Sequence, residues 1–274
     1  MKGMSDKSSI LERIAKTKKP VFGMVHFPAL PGTPMYDRAG GIRAIRETAL
    51  HDAESLAEAG FDGFMFSNEG DRPYLSDVSK YTVAVMSRLV YDISQRFGLP
   101  FGVSVLADPE AAISLGTAVG SSFVRIFLSW VFASDWGIVS PDAGALQRYR
   151  ASIEPAPAVF ANVSGHTAPL GSRSIADITR GAIKFGLADA VCLAGATAGS
   201  EIDVDEILQA REGAAGATPV ILGTGVRTDN LEKMFPLGEG FIVGTSLKEG
   251  GDTFKPIDPK RAKEFMAKMK SLRA

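Results

Sequence analysis

The sequence predicts a closed (β/α)8 barrel of the TIM class, built as a single α/β domain. Three observations carry the prediction. Eight short β-rich runs recur along the chain and are apolar almost throughout, as parallel strands buried on both faces require. Amphipathic segments rich in Ala, Glu and Arg separate them. The 274-residue length suits one such barrel. An open doubly wound sheet is the alternative. It does not need eight units and usually carries a Gly-rich fingerprint after its first strand, which "GMVHFPALPG" does not supply.

Residues 1–19 read as a polar N-terminal extension, with Lys16–Lys19 as a solvated patch, and residues 20–274 as the barrel. The first strand is "VFGMVHF" from Val21, followed by a long loop, "PALPGTPMYDRAG". In the next segment Ile42, Ile45, Ala49, Ala53, Leu56 and Ala57 share one helical face, and Gly60 stands where a C-cap belongs. The second strand is "GFMFSNE" from Gly63. Its helix has Ser76 or Asp77 as N-cap and Gly98 as its stop. "FGVSVL" from Phe101 and "FVRIFL" from Phe123 are the third and fourth strands, and a second long loop, "SWVFASDWGIVSPDAG", follows the fourth. "AVFANVS" from Ala158, "AVCLAG" from Ala190, "PVILGTG" from Pro219 and "FIVGTS" from Phe241 complete the ring. "SIADITRGAIKFG" and "DVDEILQAREG" are the helices between them. The chain closes in a helix capped by Asp258 with Pro259 in its first turn.

The bulk numbers exclude several classes of function. Thirty basic and thirty-one acidic residues leave a net charge of −1, so no field points to nucleic acid or an anionic membrane. Cys192 is the single cysteine, which allows no intramolecular disulfide and is compatible with a reducing compartment. The N-terminus lacks the apolar segment of a secretory signal, and no run approaches the length of a membrane span. The expectation is a cytoplasmic protein.

In a barrel of this class the chemistry sits at the C-terminal ends of the strands. That filter selects His26, Asn68, Glu69, Asp71, Ser104, Asp108, Arg125, Asp135, Asn162, Ser164 and His166. His26 and His166 are candidate general acids or bases, or histidines that fix their loops by hydrogen bonds. Glu69 and Asp71 are candidate carboxylate bases, with Asp71 alternatively capping a turn. Arg125, inside an apolar strand, is either a structural arginine paired with an acid or a clamp for a substrate carboxylate. Ser104 is a candidate substrate-binding hydroxyl.

The last two strands end in "GTG" and "GTS". A bound phosphate needs several N–H donors converging on it, glycine lets backbone approach closely, and a following helix N-terminus would add its dipole. Gly223, Thr224, Gly225, Gly244, Thr245 and Ser246 form the expected phosphate corner, with Lys248 as a point charge. No P-loop, dinucleotide fingerprint or nucleophile elbow is present, and no strand ends in a lysine suited to Schiff-base chemistry. No cofactor is expected. His26, His166 and a carboxylate could meet around a divalent ion, but no H-x-H, H-E-x-x-H or C-x-x-C spacing supports it, and no metal is expected.

The motifs "GMVHFPALPGTP", "NEGDRP", "SDWGIV", "HTAPL", "DAVCLAGATAG" and "GTSLK" resemble those of the BtpA family across nearly the whole chain. The resemblance implies a TIM-type barrel. It also implies either a cytoplasmic role in sugar catabolism or one tied to photosystem I accumulation, the role behind the family's name. It carries His26, Asn68, Asp71, Asp135, His166, Thr197 and residues 244–246 as site positions. Four positions depart from the family pattern. Ser67-Asn68 stands where Glu-Asn is usual, Ser104 and Phe127 where asparagine is usual, and Gly165 where lysine often precedes the histidine.

Two functional readings follow. One is an enzyme of lyase, isomerase or aldolase-like type acting on a small phosphorylated, sugar-derived metabolite. The other is a non-catalytic assembly or regulatory barrel. In the second, Phe127, Trp130 and Phe132 form an exposed partner or homo-oligomer surface rather than a lid on the barrel mouth.

Overall fold

The eight apolar runs become eight parallel strands that close into a ring in the computed structural model, which describes residues 9–197 and 199–274. The barrel strands are β1 (Val21–His26), β2 (Gly63–Ser67), β3 (Phe101–Ser104), β4 (Phe123–Ile126), β7 (Ala158–Asn162), β9 (Ala190–Leu193), β10 (Val220–Leu222) and β11 (Gly240–Val243). β1 pairs with both β2 and β11, which closes the ring. A smaller antiparallel sheet, β5 (Phe132–Ser134), β6 (Gly137–Val139) and β8 (Ala168–Pro169), comes from the long loops after β4 and β7. The sequence reads the first of these as a loop. Its period-two alternation is too short to register, and β5 is stabilised from both sides, by β6 and by β8.

The pleat sorts strand residues into two sets. Val21, Val25, Phe64, Phe66 and Val103 pack outward with the helices. Phe22, Met65, Phe123, Phe160, Cys192 and Ile221 fill the barrel. Phe22, Phe123 and Phe160 form a run of rings with centroids 4.8 and 4.3 Å apart. Gly102 makes room for them, because a Cβ there would lie 2.2 Å from the Phe123 ring.

The helices take the faces their patterns assign. Helix α2 (Gly41–Ala59) buries Ile45, Ala49, Ala53 and Leu56 and ends on Gly60 at φ 84°. Helix α9 (Pro259–Arg273) starts at Asp258, whose side chain accepts from the Lys260 and Arg261 N–H groups. Helix α3 (Lys80–Ser94) starts later and ends sooner than expected. Ser79 is its cap, accepting from the Thr82 N–H. Among the described residues no helix is long and apolar enough to cross a membrane.

Residues 1–8 of the expected N-terminal extension lie outside the described residues. Its remainder forms helix α1 (Ile10–Ala15), capped by Ser9. Leu11 is fully buried and joins the cluster inside the barrel, closing its N-terminal end. Lys19, read in sequence as part of a solvated patch, donates to the carbonyls of Phe235 and Gly238 at 2.6 and 2.8 Å. This segment therefore packs against the barrel, because one apolar residue per turn suffices to plug a narrow opening.

Candidate active site

Toward the C-terminal ends of the strands the inward positions change from phenylalanine to polar residues. His26, Ser67, Ser104, Arg125 and Asn162 all line a cavity of about 940 Å³ at the barrel mouth. Met24, Met65 and Ile242, from the same inner cluster as the aromatic rings, also line it. The loops after β2, β10 and β11 and the turn between β5 and β6 add to the lining.

Arg125 occupies the deepest charged position. Its Nε donates to Asn162 Oδ1 at 2.7 Å. Among the described residues no carboxylate lies within ion-pair distance of it. The structural alternative read from sequence, an arginine paired with an acid inside the barrel, is thereby replaced by a guanidinium whose outer edge faces the cavity. Both Nη atoms lie against Gly223, 3.5 Å from where a Cβ would stand. Beside it His166 sits at φ 58°, held by its backbone N–H to the Gly195 carbonyl at 3.2 Å. Its Nε2 is 2.9 Å from Thr224 Oγ1. Burial, and then the Arg125 charge, lower its pKa and favour neutral imidazole.

On the opposite side His26 Nε2 stands 4.0 Å from Glu69 Oε2. Glu69 accepts from Ser67 Oγ at 3.1 Å and from the Tyr74 hydroxyl at 3.4 Å. Burial, reinforced by the Lys248 charge, lowers the His26 pKa to about 3. The ring is therefore neutral across the physiological range. Its Nδ1 is buried without a partner in the protein. Burial and the neighbouring Glu69 carboxylate push the Tyr74 phenol well above its usual range, so it stays a proton donor.

At the rim the two glycine-bearing loops come together. Ser246 Oγ donates to the Val226 carbonyl at 3.0 Å and ties one loop to the other. Gly225 adopts φ 99°, and a Cβ there would lie 1.9 Å from the Ser200 carbonyl oxygen, so only glycine fits. Among the described residues, the backbone N–H groups of Gly225, Thr245 and Ser246 meet no protein acceptor. The helix expected to follow the first of these loops, α8 (Leu231–Met234), is a single turn, so the donors come from the loops themselves. Across the opening Arg72 lies over the Phe254 ring at 3.6 Å, joining the loop after β2 to the one after β11. Phe127 and Phe132 are 7% and 0% exposed, and Trp130 carries Arg173 against its ring. Phe127 and Phe132 belong to the core and Trp130 packs against it, so these aromatics do not present an exposed surface, and only Phe127 reaches the cavity.

Of the residues selected by sequence, His26, Glu69, Ser104, Arg125, Asp135, Asn162, His166, Thr197, Thr224, Gly225, Gly244, Thr245 and Ser246 line this one cavity. Six do not. Asp108 accepts from the Val78 and Ala111 N–H groups at 2.9 Å, and Ser164 donates to Glu206 at 2.9 Å. Asn68 accepts from the Leu106 N–H at 2.7 Å and donates to Asp71, and Asp71 accepts from the Leu30 N–H at 2.7 Å. The two are buried and lock the loops after β1 and β3 together. Burial raises the Asp71 pKa, and its hydrogen bonds oppose the rise. Gly223 donates its N–H to the Leu193 carbonyl at 2.7 Å and so has none to offer a ligand.

Lys248 turns away from the mouth, is 1% exposed, and pairs with Asp52 of α2, which is fully buried. Burial lowers its pKa and Asp52 opposes the shift. The physical reason is local: the chain leaves β11 through a short 3-10 turn, Thr245–Leu247, that carries Lys248 outward toward α2. Sequence reasoning missed Ser67 and Tyr74 as lining residues and Asp52 as a buried acid. The pleat held the signal for Ser67. It is an even step along its strand from the inward-facing Met65, as Asn162 is from Phe160, whereas Asn68 is an odd one. Among the described residues no group of three or more His, Cys, Asp or Glu side chains is arranged to hold a metal ion.

A model of the BtpA family matches residues 17–271. SgcQ of Escherichia coli (strain K12) is 32% identical over 97% of this chain and 99% of its own length. The photosystem I biogenesis protein BtpA of Synechocystis sp. is 33% identical over 93% of this chain and 89% of its own. Among solved structures, phosphoribosyl anthranilate isomerase from Thermus thermophilus superposes with a TM-score of 0.57 at 14% identity. The match covers 92% of this chain and 99% of that one, and it reflects the shared barrel.

Proposed function

The chain belongs to the BtpA family, and on that premise we propose that it is an enzyme of lyase, isomerase or aldolase-like type acting on a small phosphorylated, sugar-derived metabolite. One observation carries the reading. A guanidinium without an acidic partner and three residues whose backbone N–H groups meet no acceptor among the described residues line one cavity, together with the Glu69 carboxylate and two neutral imidazoles. The loops after β10 and β11 would hold the phosphate, and the family's fold neighbour named for a phosphoribosyl compound is consistent with that.

The proton-moving group would be Glu69, oriented by Ser67 and Tyr74. Neutral His26 and His166 would pass or hold protons, and Arg125 would meet negative charge at the reacting end of the ligand. The alternative of a non-catalytic assembly barrel drew on Phe127, Trp130 and Phe132 as an exposed surface, and their burial in and against the core weakens it.

The test is a thermal-shift panel of sugar phosphates against their unphosphorylated parents. A ligand at one hundred times its Kd stabilises by about 2.7 kcal/mol. For a chain of this size that raises Tm by roughly 5–10 °C. Gly225→Ala, which forces a side chain against Ser200, should abolish the shift. No response to any phosphorylated compound would remove the reading.

A further inference from the structure

The depth of Arg125 relative to the rim donors narrows the class of ligand, an inference that rests on the phosphate reading above. The cavity holds two separate places for negative charge. The upper one is the set of N–H groups of Gly225, Thr245 and Ser246. The lower one is the outer edge of the Arg125 guanidinium, set against Gly223. Gly223 has no N–H to give, because the Leu193 carbonyl takes it. The lower place therefore depends on the guanidinium and is not a continuation of the loop.

The two places are close. Two residues of chain, at most about 7 Å, separate Gly223 from Gly225. Two independent anions at that distance would repel in a half-enclosed site, whereas two anionic ends of one molecule are joined already. The charge at the floor also limits what fits. Arg125 brings one positive charge; His166 beside it is held neutral, and Asn162 and Thr224 are uncharged. One fixed charge in a planar two-nitrogen fork matches a carboxylate monoanion better than a phosphate dianion.

We propose that the substrate is a phosphorylated sugar acid, its phosphate on the loops after β10 and β11 and its carboxylate on the Nη edge of Arg125. In that pose the carbon next to the carboxylate lies at the bottom of the cavity, with the Glu69 wall across from it. Arg125 would then set substrate choice as well as hold charge, since a phosphorylated alcohol of the same length leaves the guanidinium unmet.

The experiment compares matched probes by isothermal titration. Phosphoglycerate and phosphogluconate carry both groups, glycerol phosphate and sorbitol phosphate lack the carboxylate, and gluconate lacks the phosphate. At least one phosphorylated acid should bind about tenfold or more tighter than its phosphorylated polyol, and gluconate should bind more weakly than phosphogluconate. Arg125→Met should erase the preference and leave the polyol phosphate within about twofold, while Arg125→Lys should keep part of it. Thermal melts identify any variant that fails to fold, and the wild-type comparison stands without the variants.

Equal binding of acid and polyol phosphate by the wild type would overturn the inference and leave the phosphate reading standing. So would loss of polyol phosphate binding in a folded Arg125→Met protein, which would assign Arg125 to the phosphate instead. Binding of no phosphorylated probe would overturn both.

Discussion

Replacing Lys248 by methionine separates what the sequence suggests from what the fold does with this residue. As a phosphate ligand, Lys248 would be exposed at the rim; its loss would weaken ligand binding and leave stability nearly unchanged. In the structure its ammonium is 1% exposed and meets the buried Asp52 carboxylate, whose other oxygen accepts from the Ile257 N–H at 2.7 Å. Lys248→Met leaves Asp52 as an uncompensated charge between α2 and the loop after β11. Breaking a buried pair in this way costs about 3–5 kcal/mol. At roughly 2–4 °C per kcal/mol for a protein of this size, Tm should fall by about 6–20 °C.

Asp52→Asn combined with Lys248→Met removes both charges and keeps an acceptor for the Ile257 N–H, so it should recover a large part of the loss. Urea unfolding of the two single variants and the double variant measures the coupling. The same proteins titrated with a bound sugar phosphate measure affinity, expected to change by less than about threefold. Because the Lys248 charge helps hold the His26 pKa down, the imidazole should titrate at higher pH in the variant, read by NMR. A stability loss below about 1 kcal/mol together with a tenfold loss of phosphate affinity would refute the burial argument.

Two further expectations concern stability. His26 has a folded pKa of about 3 against 6.5 for the free side chain, so the unfolded chain binds the proton more readily. Its contribution is complete above pH 6.5 and is lost as pH falls toward 3, on the order of 5 kcal/mol at most. His26→Gln should flatten that part of the stability-pH curve, and an unchanged slope would contradict the assignment. Leu11→Ala should cost about 2–5 kcal/mol by opening the lower end of the barrel, with ligand affinity preserved because the site lies at the other end. A loss under about 0.5 kcal/mol in urea unfolding would show that the plug is not part of the core.

Much of the ring was legible because its evidence is local. Uniformly apolar runs, glycine stops and capping residues each act within a few positions, and eight repeats of one pattern leave few ways to bury every face. The convergence of His26, Glu69, Arg125, His166 and the Gly-Thr-Ser loop on one cavity follows from closure, since the C-terminal ends of parallel strands meet at one end. Where the reading failed, the deciding quantity was direction. Asn68 and Ser67 are adjacent and equally polar, but the pleat aims one at a neighbouring loop and the other at the cavity.

The sequence by itself thus determined the strand and helix order of the ring, the end of the barrel that holds the cavity and most of the residue types found there. Tertiary structure decided which charges are matched. Asp52 and Lys248 are separated by most of the chain, and only closure of β11 against β1, with α2 packed outside, buries them as a pair. Arg125 has acids far nearer in sequence, Glu110 and Asp135 among them, yet closure leaves no carboxylate beside it among the described residues. Ionic pairing depends on distances of a few ångströms, and for groups so remote along the chain those distances exist only after folding.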